Sequence, residues 1–239
     1  MSARVVSADE AAAWERATVN AGTPSFELML RAGQIAAGLI ASKYENLLRH
    51  GVTVCCGRGN NGGDGWIVAE SLARKGAQVN VISSGDPSSS EAKSARDLAM
   101  TSPVRTDGER KRGGIVVDAL LGTGSTGVPR GKIAEAIASI GIMRGEGSSV
   151  ISLDLPSGLN ATDGAHKGAI VADSTISFGN LKRGHLLARD ICGDISVVDI
   201  GLGENAESDS LPVLVDDDWE RQRLPRIPVD AHKGTRKTL

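Results

Sequence analysis

The chain has 239 residues and a mass of 24.7 kDa, which is enough for one large α/β domain or two small ones. Its 27 Lys and Arg residues nearly balance its 29 Asp and Glu residues, and the formal net charge of −2 excludes a general surface for nucleic acids or anionic membranes. No apolar run reaches the roughly 20 residues that a membrane-spanning helix needs.

Two helices are predicted at the start of the chain. Ser7 and Glu10 have the S-x-x-E spacing of a capping box, ahead of an Ala-rich stretch. The pair Thr23–Pro24 predicts the start of a second helix, with the threonine as N-cap and the proline as first helical residue. Apolar residues then recur at nearly helical spacing over 26–48, so this helix is predicted to continue until Gly51 stops it.

After these helices, strand-like and helix-like segments alternate. The strand-like segments are short, apolar and rich in β-branched residues: 52–56, 78–82, 115–117, 150–153, 169–178 and 195–200. The helix-like segments between them are 66–75, 91–100 and 132–140. Such alternation predicts a parallel, doubly wound sheet with helices on both of its faces.

Glycine is over-represented, with 30 residues in the chain against the roughly 7% that is typical of proteins. Many of these glycines lie in three segments that directly follow predicted strands: Gly57–Gly65, Asp118–Gly127 and Asp154–Gly158. Loops at the carboxyl ends of parallel strands line the ligand crevice of such a sheet. Glycine there lets backbone N–H groups approach a phosphate closely, so the pattern predicts a nucleotide-like, anionic ligand.

Two common nucleotide-binding templates fit these loops poorly. The spacing G-x-G-x-x-G occurs over both 57–62 and 122–127, but the second predicted strand ends at Ser83–Ser84 without the carboxylate that the dinucleotide fingerprint needs. A Walker A motif also fails, because Gly131–Lys132 is followed by isoleucine rather than serine or threonine. The sequence therefore argues against a standard dehydrogenase and against a P-loop NTPase.

The same loops carry side chains with oxygen atoms: Asn60, Asn61, Asp64, Asp118, Asp154 and Ser157. Carboxylate, amide and hydroxyl oxygens that converge at strand ends suit a hard cation. Asn, Asp and Ser are also common turn formers, so a purely structural role stays open for each residue. The four histidines show no zinc-binding spacing.

Cysteine spacing and the first residues bear on the compartment. The three cysteines, at positions 55, 56 and 192, show no C-x-x-C motif and no disulfide framework. The first ten residues carry no apolar core of a signal peptide. These features predict reduced thiols and a cytoplasmic location.

Four segments stand out for their specific order of residues: Cys56–Gly65, Asp118–Gly124, Asp154–Gly158 and Phe178–Gly184. Together with the helical segment 27–33, they resemble the signature of NAD(P)H-hydrate epimerases, and the match runs in order across roughly residues 5–205. The resemblance implies an α/β, Rossmann-like three-layer sandwich with a mostly parallel sheet and N-terminal helices. It also implies a homodimer that interconverts the R and S forms of hydrated NADH or NADPH, in functional coupling to an ADP- or ATP-dependent dehydratase.

The resemblance further implies which residues bind ligands. The positions that match the family's substrate-binding motifs are Asn60, Asn61, Gly62, Gly63, Asp64, Gly122, Thr123, Gly124, Ser125, Thr126, Gly127, Val128 and Asp154. Potassium, K+, would be held by Asn61, Asp118 and Ser157. This agrees with the independent interpretation of the loops as an anion cradle beside a hard-cation site.

Catalysis needs a proton donor and a proton acceptor. The hydrated carbon bears a hydroxyl and the ring nitrogen, so it can lose its configuration by reversible C–O or C–N cleavage. Asp118, at a strand end, is predicted as the catalytic carboxylate, with a role as metal ligand alone left open. Lys182 is a second catalytic candidate, although a lysine beside Arg183 is also expected at the surface.

The polar stretch 201–210 predicts a domain boundary, with an epimerase domain over 1–205 and a tail over 206–239. The tail shows no clear helix or strand pattern, and its prolines and charges predict an extended or disordered segment unless it packs on a neighbour. Its residues 224–235 resemble the linker and first residues of an ADP-dependent NAD(P)H-hydrate dehydratase domain. Two other functions stay open, namely another nucleotide-handling enzyme and a non-catalytic scaffold of the same fold.

Overall fold

A six-stranded parallel sheet forms the centre of the computed structural model, which describes residues 4–107, 113–203, 211–215 and 217–224. In chain order the strands are β1 (Val5–Val6), β2 (Val52–Cys56), β3 (Val79–Ser83), β4 (Ile115–Ala119), β5 (Ser149–Leu153), β6 (Ser174–Phe178), β7 (Leu181–Lys182) and β8 (Asp194–Val198). The large sheet has the order β3-β2-β4-β5-β6-β8, and all its neighbours are parallel. The predicted α/β fold with a parallel sheet is confirmed.

Helices cover both faces of this sheet and complete three layers. In chain order they are α1 (Ala8–Asn20), α2 (Ser25–Lys43), α3 (Glu45–Leu48), α4 (Asn60–Arg74), α5 (Ser90–Ala99), α6 (Gly131–Gly145), α7 (Arg183–Leu187) and α8 (Asp217–Arg223). Helix α4 packs between α2 and α5, and their buried side chains form the larger core with the sheet. Helix α6 covers the opposite face, where Ile140 and Met143 pack against Val116 and Val150.

The N-terminal helices follow the sequence prediction in part. The capping box is confirmed: the Glu10 backbone N–H donates to Ser7 Oγ at 3.3 Å, and the Ser7 N–H donates to Glu10 Oε2 at 2.6 Å. The N-cap assigned to Thr23 is wrong, because α2 begins one residue later, with Pro24 at the N-cap and no side-chain cap. The helix also breaks at Tyr44, whose φ of −120° separates α2 from α3.

The segment after β2 differs from its prediction. The sequence predicts a loop up to Gly65 and a helix from Trp66, whereas α4 begins at Asn60 and incorporates the glycines. The reason is close packing: a Cβ on Gly62 would lie 2.0 Å from the Gly57 carbonyl oxygen, and a Cβ on Gly65 would lie 2.6 Å from Ala119 Cβ. These glycines therefore let the first turns of α4 pack directly against the turn that precedes it and against the sheet.

The strand order places a ligand crevice at one position of the sheet. Strand β2 lies between β3 and β4, so the chain leaves it toward β3 and later returns to its other side at β4. Ligands of open parallel sheets bind where the strand order reverses in this way, outside the carboxyl ends of the strands. The segments that follow β2 and β4 are the first two glycine-rich segments, so the topology brings them together.

The two ends of the described chain meet in a second, small sheet. Strands β1 and β7 pair in parallel, and Val213 forms an antiparallel bridge with Arg4 on the other side. The backbone N–H of Val5 donates to the carbonyl of Pro212 at 2.8 Å. The tail also contains α8, a helix that the sequence pattern did not indicate. The predicted domain boundary stays a prediction, because residues 204–210 lie outside the described part of the chain.

The structure also shows the state of the cysteines and the character of the helices. The three cysteines all fall within the described residues, and no disulfide joins them. Among the described helices, none has the length and the apolar character that crossing a membrane would require.

Candidate active site at the carboxyl edge of the sheet

A cavity of about 710 Å³ opens at the carboxyl ends of β2, β4 and β5. Its floor consists of the first turn of α4 and of the segment 120–125 that follows β4. Helices α1 and α2 form part of its walls through Ala8, Asp9, Ala11, Ala12 and Glu15 of α1 and Ser25, Leu28, Met29 and Ala32 of α2. The cavity therefore lies at the position that the strand order predicts for a ligand.

The predicted ligand-binding stretch 60–64 forms the N-terminal turn of α4. Asn60, Asn61 and Asp64 line the cavity. Gly62 and Gly63 are buried and pack against the Gly57 carbonyl and the Met29 side chain, so their part is to bring the backbone close. The helix N-cap is Gly59 without a side-chain cap, which leaves the first N–H groups available to a ligand.

The second predicted stretch, 122–128, is divided between the cavity and the surface. Gly122, Thr123, Gly124 and Ser125 line the cavity. Thr126, Gly127 and Val128 are not among the residues that line it, and the Val128 side chain is half exposed. The structure therefore brings the first half of this stretch to the candidate site.

The centre of the site is a buried ion pair between Asp154 and Lys182. The Lys182 ammonium contacts Asp154 Oδ1 and donates to Phe178 O at 2.9 Å and to Ser177 Oγ at 3.1 Å. Both side chains line the cavity, yet Lys182 is only 2% exposed. The expectation of a surface lysine is wrong, because β7 directs this side chain inward while Arg183 pairs with Glu10 instead.

Asp154 is held in an unusual backbone conformation. Its φ is 63°, and it is the one non-glycine residue with positive φ among the described residues. Thr123 Oγ1 donates to Asp154 Oδ2 at 2.6 Å. Burial by itself would raise the pKa of Asp154, but the charge of Lys182 and the hydrogen bonds from Lys182 and Thr123 outweigh burial, so the pKa lies below its usual value. Asp154 is therefore ionised at neutral pH.

His185 connects the two members of this pair from behind. Its Nε2 lies 2.9 Å from the Asp154 carbonyl oxygen, and its Nδ1 accepts from the Lys182 backbone N–H at 3.2 Å. The ring is completely buried, and burial followed by the charge of Lys182 lowers the pKa of His185 to about 4. The neutral imidazole therefore donates from Nε2 and accepts at Nδ1, which fixes its tautomer.

The pKa of Asp64 is shifted in the opposite direction to that of Asp154. Burial, followed by the negative charges of Asp154 and Glu15, raises the pKa of Asp64 well above its usual value. Both carboxyl groups line the same cavity, and their pKa values are shifted in opposite directions. Carboxyl groups with pKa values shifted apart are typical of acid–base sites.

Asp118 lies beneath the cavity rather than in its lining. It is fully buried and accepts four hydrogen bonds, from Ser157 Oγ at 2.5 Å, the Ser157 N–H at 2.8 Å, Ser152 Oγ at 2.8 Å and the Leu120 N–H at 3.2 Å. Burial raises the pKa of Asp118, although these hydrogen bonds oppose the shift. Its surroundings suit a residue that positions the loops after β4 and β5.

The three predicted potassium ligands are connected through Leu121. Asn61 Nδ2 donates to the Leu121 carbonyl at 2.9 Å, and the Leu121 N–H donates to Ser157 Oγ at 2.9 Å. Ser157 in turn donates to Asp118. Asn61 Oδ1 is buried and has no hydrogen-bond partner within the described residues, and an oxygen left in this state fits a cation ligand.

Sequence reasoning missed two groups of this site. Nothing in the spacing of His185 distinguishes it from an ordinary core histidine, because its role depends on strand β7 folding back onto the Asp154 loop. Arg58 also lines the cavity, and only its position inside the glycine-rich segment could have indicated this.

The chain is similar to known proteins over most of its length. A family model described as YjeF-related protein N-terminus matches residues 25–184. The chain is 33% identical to the bifunctional NAD(P)H-hydrate repair enzyme Nnr of Coxiella burnetii, over 92% of this chain and 46% of that protein. It is 32% identical to the NAD(P)H-hydrate epimerase of Weissella koreensis, over 84% of this chain and 93% of that protein.

A solved structure shares the fold. The crystal structure of yeast ynu0 (YNL200c) is similar with a TM-score of 0.67 at 20% sequence identity, over 88% of this chain and 100% of that chain. The chain spans a little under half the length of bifunctional relatives such as those of Coxiella burnetii, at 46%, and Escherichia coli, at 42%.

Proposed function

The chain belongs to the family of YjeF-related protein N-termini, and from this premise we propose that it is an NAD(P)H-hydrate epimerase. Its substrate would be NADH or NADPH hydrated at the nicotinamide ring, and the reaction would interconvert the R and S forms. One observation carries the proposal: two carboxyl groups, Asp64 and Asp154, line one cavity, and Asp154 is paired with the buried Lys182.

The proposed mechanism uses these two carboxyl groups as donor and acceptor. In the C–O route, Asp64 gives its proton to the departing hydroxyl, the C–O electron pair leaves with the oxygen as water, and the ring nitrogen lone pair forms a C=N bond. Water then adds to either face of the planar carbon, Asp154 takes up the released proton, and the return of that proton to Asp64 restores the starting state. The negative charge of Asp154 stabilises the cationic ring, and Lys182 keeps Asp154 ionised.

Asp118 takes a different part in this proposal from the one predicted from its sequence position. Its hydrogen bonds come from Ser152 in β5 and from Leu120 and Ser157 in the loops after β4 and β5, and it does not line the cavity. Its catalytic role stays an untested prediction, and the geometry favours a positioning role. The acid–base work is therefore proposed for Asp64 and Asp154.

We also propose that K+ is held by Asn61, Asp118 and Ser157. Support comes from the unpartnered Oδ1 of Asn61 and from the oxygen-rich surroundings that Ser157 and Asp118 provide. A bound K+ would supply positive charge beside the ligand loops. We expect KCl, but not NaCl or choline chloride at equal ionic strength, to raise the melting temperature of the protein. Equal melting temperatures in the three salts, or the same rise in Asn61→Ala, would contradict the site.

The wider setting of the enzyme belongs to the same proposal. Several relatives are named bifunctional NAD(P)H-hydrate repair enzymes, which supports coupling of the epimerase to an ADP- or ATP-dependent dehydratase that consumes the S form. A homodimer and a cytoplasmic location complete the proposal. Cysteines without disulfides are consistent with a reducing compartment.

A coupled assay tests the proposed function. An equal mixture of R and S hydrates is incubated with an S-specific dehydratase, with and without the chain. Complete consumption only in the presence of the chain is expected. If consumption stops with the R form untouched, the chain is not an epimerase and the non-catalytic scaffold is the better interpretation. The variant Asp154→Asn is the matched control, since it removes the acceptor while keeping the shape of the side chain.

A further inference from the structure

The two carboxyl groups of the site exchange their protonation states during each net turnover of the proposed reaction. Asp64 has then given its proton to the departing hydroxyl, and Asp154 has taken one from the incoming water. The reverse reaction can start from this state, but a second turnover in the same direction needs the proton back on Asp64. A path that carries a proton from Asp154 to Asp64 is therefore part of the mechanism.

Glu15 of α1 is a carboxyl group that two cavities share. It lines the active-site cavity of about 710 Å³ together with Asp64 and Asp154, and it also lines a second cavity of about 300 Å³. The other residues common to both cavities are an alanine and a serine. Arg16 and Asn20, which border the second cavity, are exposed. Glu15 therefore lies in the wall between the reaction space and the surface.

Neither Glu15 nor Asp64 is held by a structural partner. No described residue forms a hydrogen bond or an ion pair with either side chain. The cation of the site is engaged elsewhere, because Lys182 pairs with Asp154. A carboxyl group donates when it is protonated and accepts when it is ionised, so an unpaired one can turn from one proton carrier to the next.

The charges of the cavity favour return of the proton. The charged groups that act on Glu15 are Asp154, Lys182, Arg16 and Glu91, and the cavity lining also carries Asp9, Arg58 and Asp64. Glu15 keeps an exposed surface, but partial burial of its carboxyl group, followed by the negative charge of Asp154, raises its pKa. The charge of Glu15 in turn contributes to the raised pKa of Asp64. Because the pKa of Asp154 is lowered, a proton on Asp154 moves favourably to the other two groups.

We propose that Glu15 is the proton-relay residue of the site, which returns the proton from Asp154 to Asp64 after each net turnover. The Asp154 carboxyl gives its proton to the Glu15 carboxylate, the Glu15 carboxyl then gives a proton to the Asp64 carboxylate, and no other bond changes. Each transfer runs directly or through water. The inference rests on the proposed function, because the return of the proton is a step of that reaction.

A relay has a kinetic signature that a structural or substrate-binding residue does not share. Net conversion of R to S, drawn by the S-specific dehydratase, needs the proton return in every turnover. Exchange between R and S at equilibrium does not need it, because a reverse reaction restores the proton of Asp64. We therefore expect Glu15→Gln to slow net conversion at saturating substrate by roughly tenfold or more and to leave equilibrium exchange nearly unchanged.

Two assays of the same variant separate these effects. The coupled assay with excess dehydratase measures net conversion, and the transfer of label from a trace of deuterated R hydrate into an equilibrium mixture measures exchange. Imidazole buffer should restore net conversion in Glu15→Gln, because a small acid can carry the proton instead, and Glu15→Asp should keep part of the wild-type rate. Glu135→Gln is the matched control, since it changes an exposed glutamate of α6 that lines neither cavity.

Three results would overturn the relay. Equal net conversion by the wild-type chain and Glu15→Gln would show that the proton returns by another path, and a slow Asp9→Asn would then assign it to the other α1 carboxylate of the cavity. An equal fall of net conversion and exchange in Glu15→Gln would assign Glu15 to binding, to the chemical step or to the fold. If the wild-type chain interconverts the hydrates and only these tests fail, the epimerase proposal stands. If the wild-type chain interconverts nothing, both proposals fall.

Discussion

The buried ion pair between Asp154 and Lys182 serves the chemistry of the site rather than the stability of the fold. Removing two charges from water costs several kcal/mol, and an apolar pair of similar size often stabilises a core at least as well. Here the cost is reduced by hydrogen bonds from Thr123 to Asp154 and from Lys182 to Phe178 O and Ser177. The backbone φ of 63° at Asp154 adds to the cost. A pair kept under these conditions beside a cavity indicates a functional site.

Replacing Lys182 should separate the energetic and chemical roles of the pair. In Lys182→Met, Asp154 remains buried without its partner, so we expect the free energy of unfolding to fall by about 3–5 kcal/mol and epimerisation to be lost. The double variant Asp154→Asn/Lys182→Met removes both charges and should recover much of the stability while staying inactive. Urea titrations and the coupled assay measure both effects. Wild-type stability in Lys182→Met would show that the pair is not buried as described.

His185 predicts the pH dependence of stability. Its pKa is about 4 in the folded protein and 6.5 in the unfolded chain, so the unfolded state binds more protons between these values. Stability is therefore complete above pH 6.5 and decreases as the pH falls toward 4, by up to roughly 3 kcal/mol. Unfolding titrations from pH 7.5 to 4.5 measure this slope. His185→Asn should be less stable at pH 7.5 but show a flatter profile, and an unchanged slope in that variant would contradict the assignment.

At the scale of elements, sequence patterns predict the strands of the core well. They fail where the start of a helix or the direction of a side chain depends on close packing. Strands β2 and β4 each begin with three consecutive β-branched residues, and the sequence predicts each of them within a few residues. Helix α4 was predicted to start at Trp66, because glycines inside a helix are unfavourable by propensity. Its true start at Asn60 depends on how closely Gly62 approaches Gly57, and a local pattern does not encode that approach. The inward direction of Lys182 likewise follows from the pairing of β7 with β1, which joins distant parts of the chain.

The start of α4 can be tested with two glycines. In Gly62→Ala the new Cβ would lie 2.0 Å from the Gly57 carbonyl oxygen, so the turn must shift. We expect a loss of about 1–3 kcal/mol in unfolding free energy, despite the better helix propensity of alanine, and weaker ligand binding. Gly59→Ala is the matched control, since its Cβ would meet no atom within 4 Å and its φ is −86°. Equal stability of the two variants would contradict the packing argument.

At the scale of the whole molecule, contacts between the two ends of the described chain support one wall of the cavity. Helix α1 forms part of that wall. It is fixed by Trp14 Nε1, which donates to Gly203 O at 3.2 Å, and by Thr18 Oγ1, which donates to Leu202 O at 2.6 Å. Just before α1, strand β1 lies between β7 and the segment 211–213. The segment beyond the predicted boundary at 205 thus contacts the predicted epimerase domain.

Shortened chains test whether that contact belongs to the domain. A chain that ends after Gly203 loses the hydrogen bond between the Val5 N–H and Pro212 O and the bridge of Arg4 to Val213, whereas one that ends after Leu224 keeps both. At about 0.5–1.5 kcal/mol for each hydrogen bond, the shorter chain should lose about 1–3 kcal/mol in unfolding free energy and exchange the Val5 amide faster. The KM of the shorter chain should rise, because β1 leads directly into α1, which forms part of the cavity wall. Identical unfolding curves and KM values for the two chains would instead support a domain that ends at 205, with the segment 211–224 resting on its surface.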